Sequence, residues 1–201
     1  MKMIFCRKNT LKVCLDFVQK WGLRYYISYG GLIGWYRHNQ SFIPVGCFVL
    51  FKENKIPKFL LIIQWDDDVD VAVLTSNWQE LEYFAEKFTN AWPDSDHSMY
   101  YMSDNYRIKC YSNTTGHVVD EEGKYGWKYP FVDLQFMLLD VSEDGDHVNV
   151  VDAAFKYKFP LDIIYPLQKA QLEGIDVYVP KNPFRVLDIN YYLNRCRQNS
   201  G

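Results

Sequence analysis

The chain has 201 residues, 48% of them hydrophobic and 23% charged, which is enough for a packed core without disulfide or metal staples. Lys+Arg 22 against Asp+Glu 25 leaves a net charge of −3, so there is no basic footprint of a nucleic-acid binder. An aromatic content of 17% is too high for a disordered chain, and no apolar run approaches the ~20 residues of a membrane-spanning helix.

The first ten residues lack an apolar h-region and a small-residue cleavage site, so no signal peptide is expected. Cys6, Cys14, Cys47, Cys110 and Cys196 lie far apart with no CxxC or CxxxH grouping, which argues against zinc. Cys6 and Cys14 fit buried thiols as well as disulfide partners, and the odd total leaves at least one thiol unpaired in a monomer.

In chain order, the spacing of Leu11, Cys14, Leu15, Val18 and Trp21 predicts a helix from Thr10 to Trp21, with Thr10 as its cap and Gly22 as its stop. A strand from Arg24 to Tyr29 follows, then Gly30-Gly31 and a short helix from Leu32 to Arg37. Strand, paired glycines and helix in that order let backbone N–H groups face an anion. The stretch from Ile62 to Leu74 reads as a strand crossing the acidic run Asp66-Asp67-Asp68-Val69-Asp70. An amphipathic helix is expected over Asn77 to Ala91, with Ser76 or Asn77 as the cap, and a hairpin over Met99 to Tyr111. Gly116 to Lys128 reads as a polar loop, and Phe131 to Leu139 as a strong strand. A turn at Ser142 to Asp146 then leads to a short strand, His147 to Val151. Strands and helices are mixed without internal repeats, so the fold class is α/β or α+β, and nothing marks a domain boundary within residues 1–201.

Successive side chains of a strand alternate faces, so Asp66, Asp68 and Asp70 share one side while Asp67 and Val69 point away. Three carboxylates on one face repel each other unless a divalent cation neutralises them, and oxygen ligands suit magnesium, manganese or calcium better than zinc. The alternative is a solvated acidic edge strand. A further carboxylate, Asp133, lies within the apolar strand text Phe131-Val132-Asp133-Leu134-Gln135-Phe136, where it is costly unless it meets a cation or a hydrogen-bond donor. Glycine pair, Asp-x-Asp strand and third Asp strand together suit a metal-dependent transfer at a nucleotide's phosphates. Tyr125, Trp127 and Tyr129 are candidates to stack on a base or sugar, or are simply core.

Tyr29-Gly30-Gly31-Leu32-Ile33-Gly34-Trp35-Tyr36-Arg37-His38, Phe42-Ile43-Pro44 and Trp65-Asp66-Asp67-Asp68-Val69-Asp70-Val71 resemble the LicD family. That family includes bacterial phosphocholine transferases and is similar to fukutin and fukutin-related protein. Phe131-Val132-Asp133-Leu134, Ile164-Tyr165-Pro166-Leu167 and Gly174 to Pro183 extend the resemblance, which runs from about Thr10 to Leu187. It implies a nucleotidyltransferase-like mixed sheet flanked by helices. It also implies transfer of a phosphate-bearing group, of the phosphocholine or ribitol phosphate type, from a CDP-linked alcohol donor to a glycan acceptor. Mg2+ or Mn2+ would be the cofactor. By this resemblance Asp68, Asp70 and Asp133 are catalytic and, with Asp66, ligate the metal, while Gly30, Gly31, Gly34 and Arg37 bind the donor. A guanidinium at Arg37 suits phosphate oxygens, although a surface Arg closing a short helix would look the same. A Golgi or secretory lumen is the location the resemblance implies.

One stretch departs from the family. Residues 45–64 separate Pro44 from Trp65, and removing them restores the uninterrupted family text Ser41-Phe42-Ile43-Pro44-Trp65-Asp66-Asp67-Asp68. The stretch begins with Val, whose codons all start GT, and ends with Gln, one of whose codons ends AG, as an intron read in frame would. The alternative is a genuine loop or hairpin beside the site. Three functions therefore compete: the metal-dependent transferase, a catalytically silent nucleotide- or glycan-binding homologue spoiled by the insert, and a calcium-binding surface module built on the acidic run.

Overall fold

The computed structural model describes residues 2–37, 68–75, 78–92, 96–118, 125–141 and 148–191. The insert at 45–64, Asp66, Asp67 and the turn expected at Ser142 to Asp146 lie outside the described residues.

Helix α1 runs Lys2–Lys20, eight residues further towards the N-terminus than its apolar stripe alone predicts. Residues 2–9 contain neither Gly nor Pro, so nothing interrupts the helix there. Thr10 is consequently not a cap but a fully buried mid-helix residue. Gly22 does end the helix: at φ +70 its N–H donates to the Gln19 carbonyl at 2.8 Å, and the Leu23 N–H donates to Val18 at 3.2 Å. This paired closure needs a left-handed residue, which glycine supplies without a Cβ penalty.

Strand β1 (Arg24–Ile27) leads to α2 (Tyr29–Arg37), so the paired glycines lie in the first turn of α2 rather than in a loop before it. Then come β2 (Asp68–Thr75), α3 (Trp78–Asn90) and the hairpin β3 (His97–Met102) with β4 (Arg107–Ser112). The loop expected over Gly116 to Lys128 instead holds a two-residue ladder of β5 (His117–Val118) with β6 (Lys128–Tyr129). Strand β7 (Phe131–Val141) and β8 (Val148–Asp152) are followed by β9 (Lys158–Pro160) and α4 (Leu161–Ile164). A second hairpin, β10 (Gln168–Leu172) with β11 (Ile175–Val179), precedes α5 (Pro183–Tyr191).

The result is a mixed, seven-stranded sheet with helices, an α+β fold. Its path is β1-β2-β7-β4-β3, with β2 and β7 parallel and the neighbouring pairs antiparallel. Strand β7 is long enough to hold two neighbours on one edge, β4 along Phe131 to Gln135 and β8 along Met137 to Val141. Helix α1 lies across β1, β2, β7 and β4. Its buried residues Leu11, Cys14, Leu15, Phe17 and Val18 join one core with Val69, Val71, Val73, Val132, Leu134, Phe136, Ile108 and Cys110. The intervening positions of β2, β7 and β4 include Asp68, Asp70, Asp133, Gln135, Arg107 and Lys109, so the opposite face of the sheet carries a charged patch. The side chains of Cys14 and Cys110 are buried. Among the described residues no helix is long and apolar enough to cross a membrane.

Candidate active site

The parallel register of β2 and β7 sets Asp70 directly beside Asp133, with Asp68 beside Phe131. Ligand oxygens from Asp68, Asp70 and Asp133 all lie within 4.8 Å of one another. Asp70 and Asp133 are buried, and Asp68 is half-buried at the strand's start.

Helix α2 is fastened onto this group. The Ser28 N–H donates to the Asp70 carbonyl at 3.0 Å, and the Gly30 N–H donates to Asp70 Oδ2 at 3.1 Å. Asp70 Oδ1 accepts from the Gln135 side-chain amide. The positive end of the helix therefore faces the carboxylates. A Cβ on Gly31 would stand 2.8 Å from Ile27 Cγ2 and 3.3 Å from the Asp70 carbonyl oxygen, so glycine is what lets α2 approach the β1–β2 pair this closely. Tyr29, which starts the helix, has φ 38, a strained region for a side-chain-bearing residue. Its hydroxyl donates to Asp152 Oδ2 at 2.7 Å, and Asp152 Oδ1 accepts the N–H groups of Ala154 and Phe155 at 2.7 and 2.6 Å. Burial and the adjacent Asp152 carboxylate push the Tyr29 phenol well above its usual range.

Asp133 meets the donors that its apolar strand demands. Arg107 Nη1 donates to Oδ2 at 2.9 Å, and Lys109 Nζ stands 3.4 Å from the same oxygen. Burial nevertheless outweighs both cations and raises the carboxyl above its usual value. Asp70 is raised much further, first by burial and then by the repulsion of Asp68 and Asp133, against which Gly30 and Arg107 act only weakly. Carboxylates this reluctant to ionise together suit a divalent cation in place of the proton. Asp133 Oδ1 fits that role, being buried without a hydrogen-bond partner among the described residues. An all-oxygen donor set is the chemistry of magnesium, manganese or calcium.

Of the other residues expected at the site, Gly34 lies one helical turn beyond Gly30, buried in the body of α2. Asp66 and the side chain of Arg37 fall outside the described residues. Arg107, Lys109, Gln135 and the Tyr29–Asp152 pair are site residues that the sequence reading passed over. The available signal was a pair of basic residues at alternate positions of a buried strand, Arg107-Ile108-Lys109-Cys110. Trp127 and Tyr125 do come close to the group: Lys109 lies over the rings of Phe131 and Trp127, 3.9 and 5.0 Å from their centroids. Tyr125 and Tyr100 flank Trp127 at 5.0 and 5.4 Å between ring centroids.

Residues 61–182 match the family model described as LicD/FKTN/FKRP, nucleotidyltransferase domain. The matched segment takes in Asp68, Asp70, Asp133 and both basic residues of β4. No curated protein sequence matches the chain significantly. With more than half of its length under that one model and the acidic triad assembled inside the matched segment, the chain belongs to the LicD/FKTN/FKRP family, and a phosphotransferase-type function on glycans comes with that membership.

Proposed function

We propose that the protein transfers a phosphate-bearing group, of the phosphocholine or ribitol phosphate type, from a CDP-linked alcohol to a glycan hydroxyl, with Mg2+ or Mn2+ as cofactor. The observation that carries this reading is the meeting of Asp68, Asp70 and Asp133 at the N-terminal end of α2. Asp68, Asp70 and Asp133 would hold the cation. When bound, it would neutralise the diphosphate and the departing CMP.

The protein's own groups supply position and field. Gly30 and Gln135 hold both oxygens of Asp70, so the carboxylate keeps one orientation as the donor arrives. Tyr29, tied to Asp152, keeps the first turn of α2 from unwinding away from β2. The remaining first-turn amides of α2 present partial positive charge towards the phosphates. The half-buried ring of Trp127 and the exposed ring of Tyr125 offer a stacking surface beside Lys109 for a base or a sugar. A lumenal setting in the secretory pathway would supply the glycan acceptor.

Incubation with CDP-choline or CDP-ribitol, a glycan acceptor and Mn2+ tests the reading through CMP release. Metal-dependent release from one donor supports it. Nucleotide binding without release would leave a silent homologue, and metal binding indifferent to nucleotide would leave a cation-binding module.

A further inference from the structure

Two basic side chains enter the acidic face from β4. Arg107 and Lys109 lie opposite Gln135 and Asp133 of β7, so they share a face with Asp70 and Asp133. The Arg107 guanidinium sits 4.6 Å from the centroid of Phe155, which fixes its plane, while its Nη1 donates to Asp133. Its other edge is different. Nε and Nη2 are both buried, and neither has a hydrogen-bond partner among the described residues. These two nitrogens carry the parallel N–H bonds that match two oxygens of one phosphate. Leaving a charged donor edge buried and unpaired is costly, so a site of this kind is complete only with an anion in it.

Resting on the transferase reading above, we propose that Arg107, with Lys109 beside it, is the anion half of the site and clamps the donor's diphosphate through its Nε–Nη2 edge. Phe155, over the face of the guanidinium, is 54% exposed, so the clamp lies directly beneath a surface ring. Charge orders the binding. A divalent cation held by Asp68, Asp70 and Asp133 would take the place of any proton they share and reverse the charge beside Arg107 and Lys109, which then attracts an anion. A diphosphate is the class that answers both the reversed charge and the two-oxygen fork. Cation and diphosphate each raise the affinity for the other, and by linkage the two effects are equal.

The test is calorimetric titration of the full chain with pyrophosphate, with and without Mn2+, while Mn2+ binding is followed separately by electron paramagnetic resonance. Wild type is expected to bind pyrophosphate more tightly with Mn2+. Arg107→Lys keeps a charge beside Asp133 but loses the fork, and should weaken pyrophosphate about ten-fold or more while Mn2+ affinity changes by less than about three-fold. Lys109→Gln leaves the Arg107–Asp133 pair in place, should weaken pyrophosphate by a smaller factor, and carries the test if Arg107→Lys does not fold. Unchanged pyrophosphate affinity in a folded variant, or an equal loss of Mn2+ affinity, overturns the clamp and leaves the transferase reading intact wherever wild type releases CMP. A wild-type protein that binds neither pyrophosphate nor CDP in the presence of Mn2+ overturns both.

Discussion

The Tyr29 hydroxyl donates to Asp152 Oδ2 at 2.7 Å, joining the first residue of α2 to the end of β8 across 123 positions of sequence. Asp152 is fully buried, and Tyr29 is 8% exposed at φ 38. The bond therefore does two things: it satisfies a buried carboxylate and ties the strained start of α2 to the end of β8. Tyr29→Phe removes the donor and leaves the acceptor in place, which should cost about 1–3 kcal/mol. Urea unfolding measures this, and an unchanged midpoint would mean that water replaces the phenol.

Ionisation of the same phenol gives a pH dependence with a definite sign. Burial raises Tyr26, Tyr25 and Tyr29 above the ordinary tyrosine range, so the folded state keeps their protons where the unfolded chain releases them. The stabilisation is fully present below about pH 10, the unfolded tyrosine value, and is lost as pH rises from there through the folded values. Unfolding midpoints should therefore hold at pH 9 and fall steeply above pH 10, with the buried phenolates growing in at 295 nm only as the protein unfolds. Ionisation of all tyrosines in a still-folded protein would contradict the burial.

Substitutions in the triad should separate metal binding from folding. Asp68→Asn, Asp70→Asn and Asp133→Asn should each lower Mn2+ affinity by about ten-fold or more and abolish CMP release. The sequence alternation expects Asp67 to face away, so Asp67→Asn should do much less. Equal damage from Asp67→Asn would put the strand in another register.

Gly31→Ala tests the packing of α2. The added methyl would meet Ile27 Cγ2 at 2.8 Å and the backbone oxygen of Asp70 at 3.3 Å, so either the side chain turns or the helix lifts. A loss of about 1–3 kcal/mol is expected from overpacking of this kind, with a matching loss of metal affinity as Gly30 withdraws from Asp70. A variant of unchanged melting temperature would show that α2 has room to move.

Removal of residues 45–64 joins Pro44 to Trp65 and leaves about ten residues between Arg37 and Asp68, a reach of ~33 Å. The shortened chain should be the more stable by about 1 kcal/mol and the better enzyme, since the apolar residues Phe48, Leu50, Leu60 and Ile62 no longer need burial. Melting and CMP release measured side by side decide it. A full-length chain that melts higher and turns over faster would make the segment an integral part of the fold, and transcripts that uniformly contain it would rule out an intron.

The acidic alternation around Asp70, the apolar strand around Asp133 and the glycine stop at Gly22 are all legible in neighbouring residues. Each follows from a local period or a local backbone requirement that any context must respect. The need of Asp133 for a cationic or hydrogen-bonding partner was equally readable, because a carboxylate in apolar text states its own cost. The identity of that partner was not. Arg107 and Lys109 reach Asp133 only because β4 takes the free edge of β7 in antiparallel register, and Asp70 meets Asp133 only because β2 takes the other edge in parallel. Strand order is a choice among distant segments, made by which arrangement buries the valine and phenylalanine face beneath α1, and no window of sequence contains it. The Tyr29–Asp152 bond has the same origin, for its two residues become neighbours only when β7 carries β8 back towards α2. Sequence alone determined which side chains could do the chemistry; the tertiary sheet order decided which of them stand together, because charge and metal ligation act over a few ångströms and not along the chain.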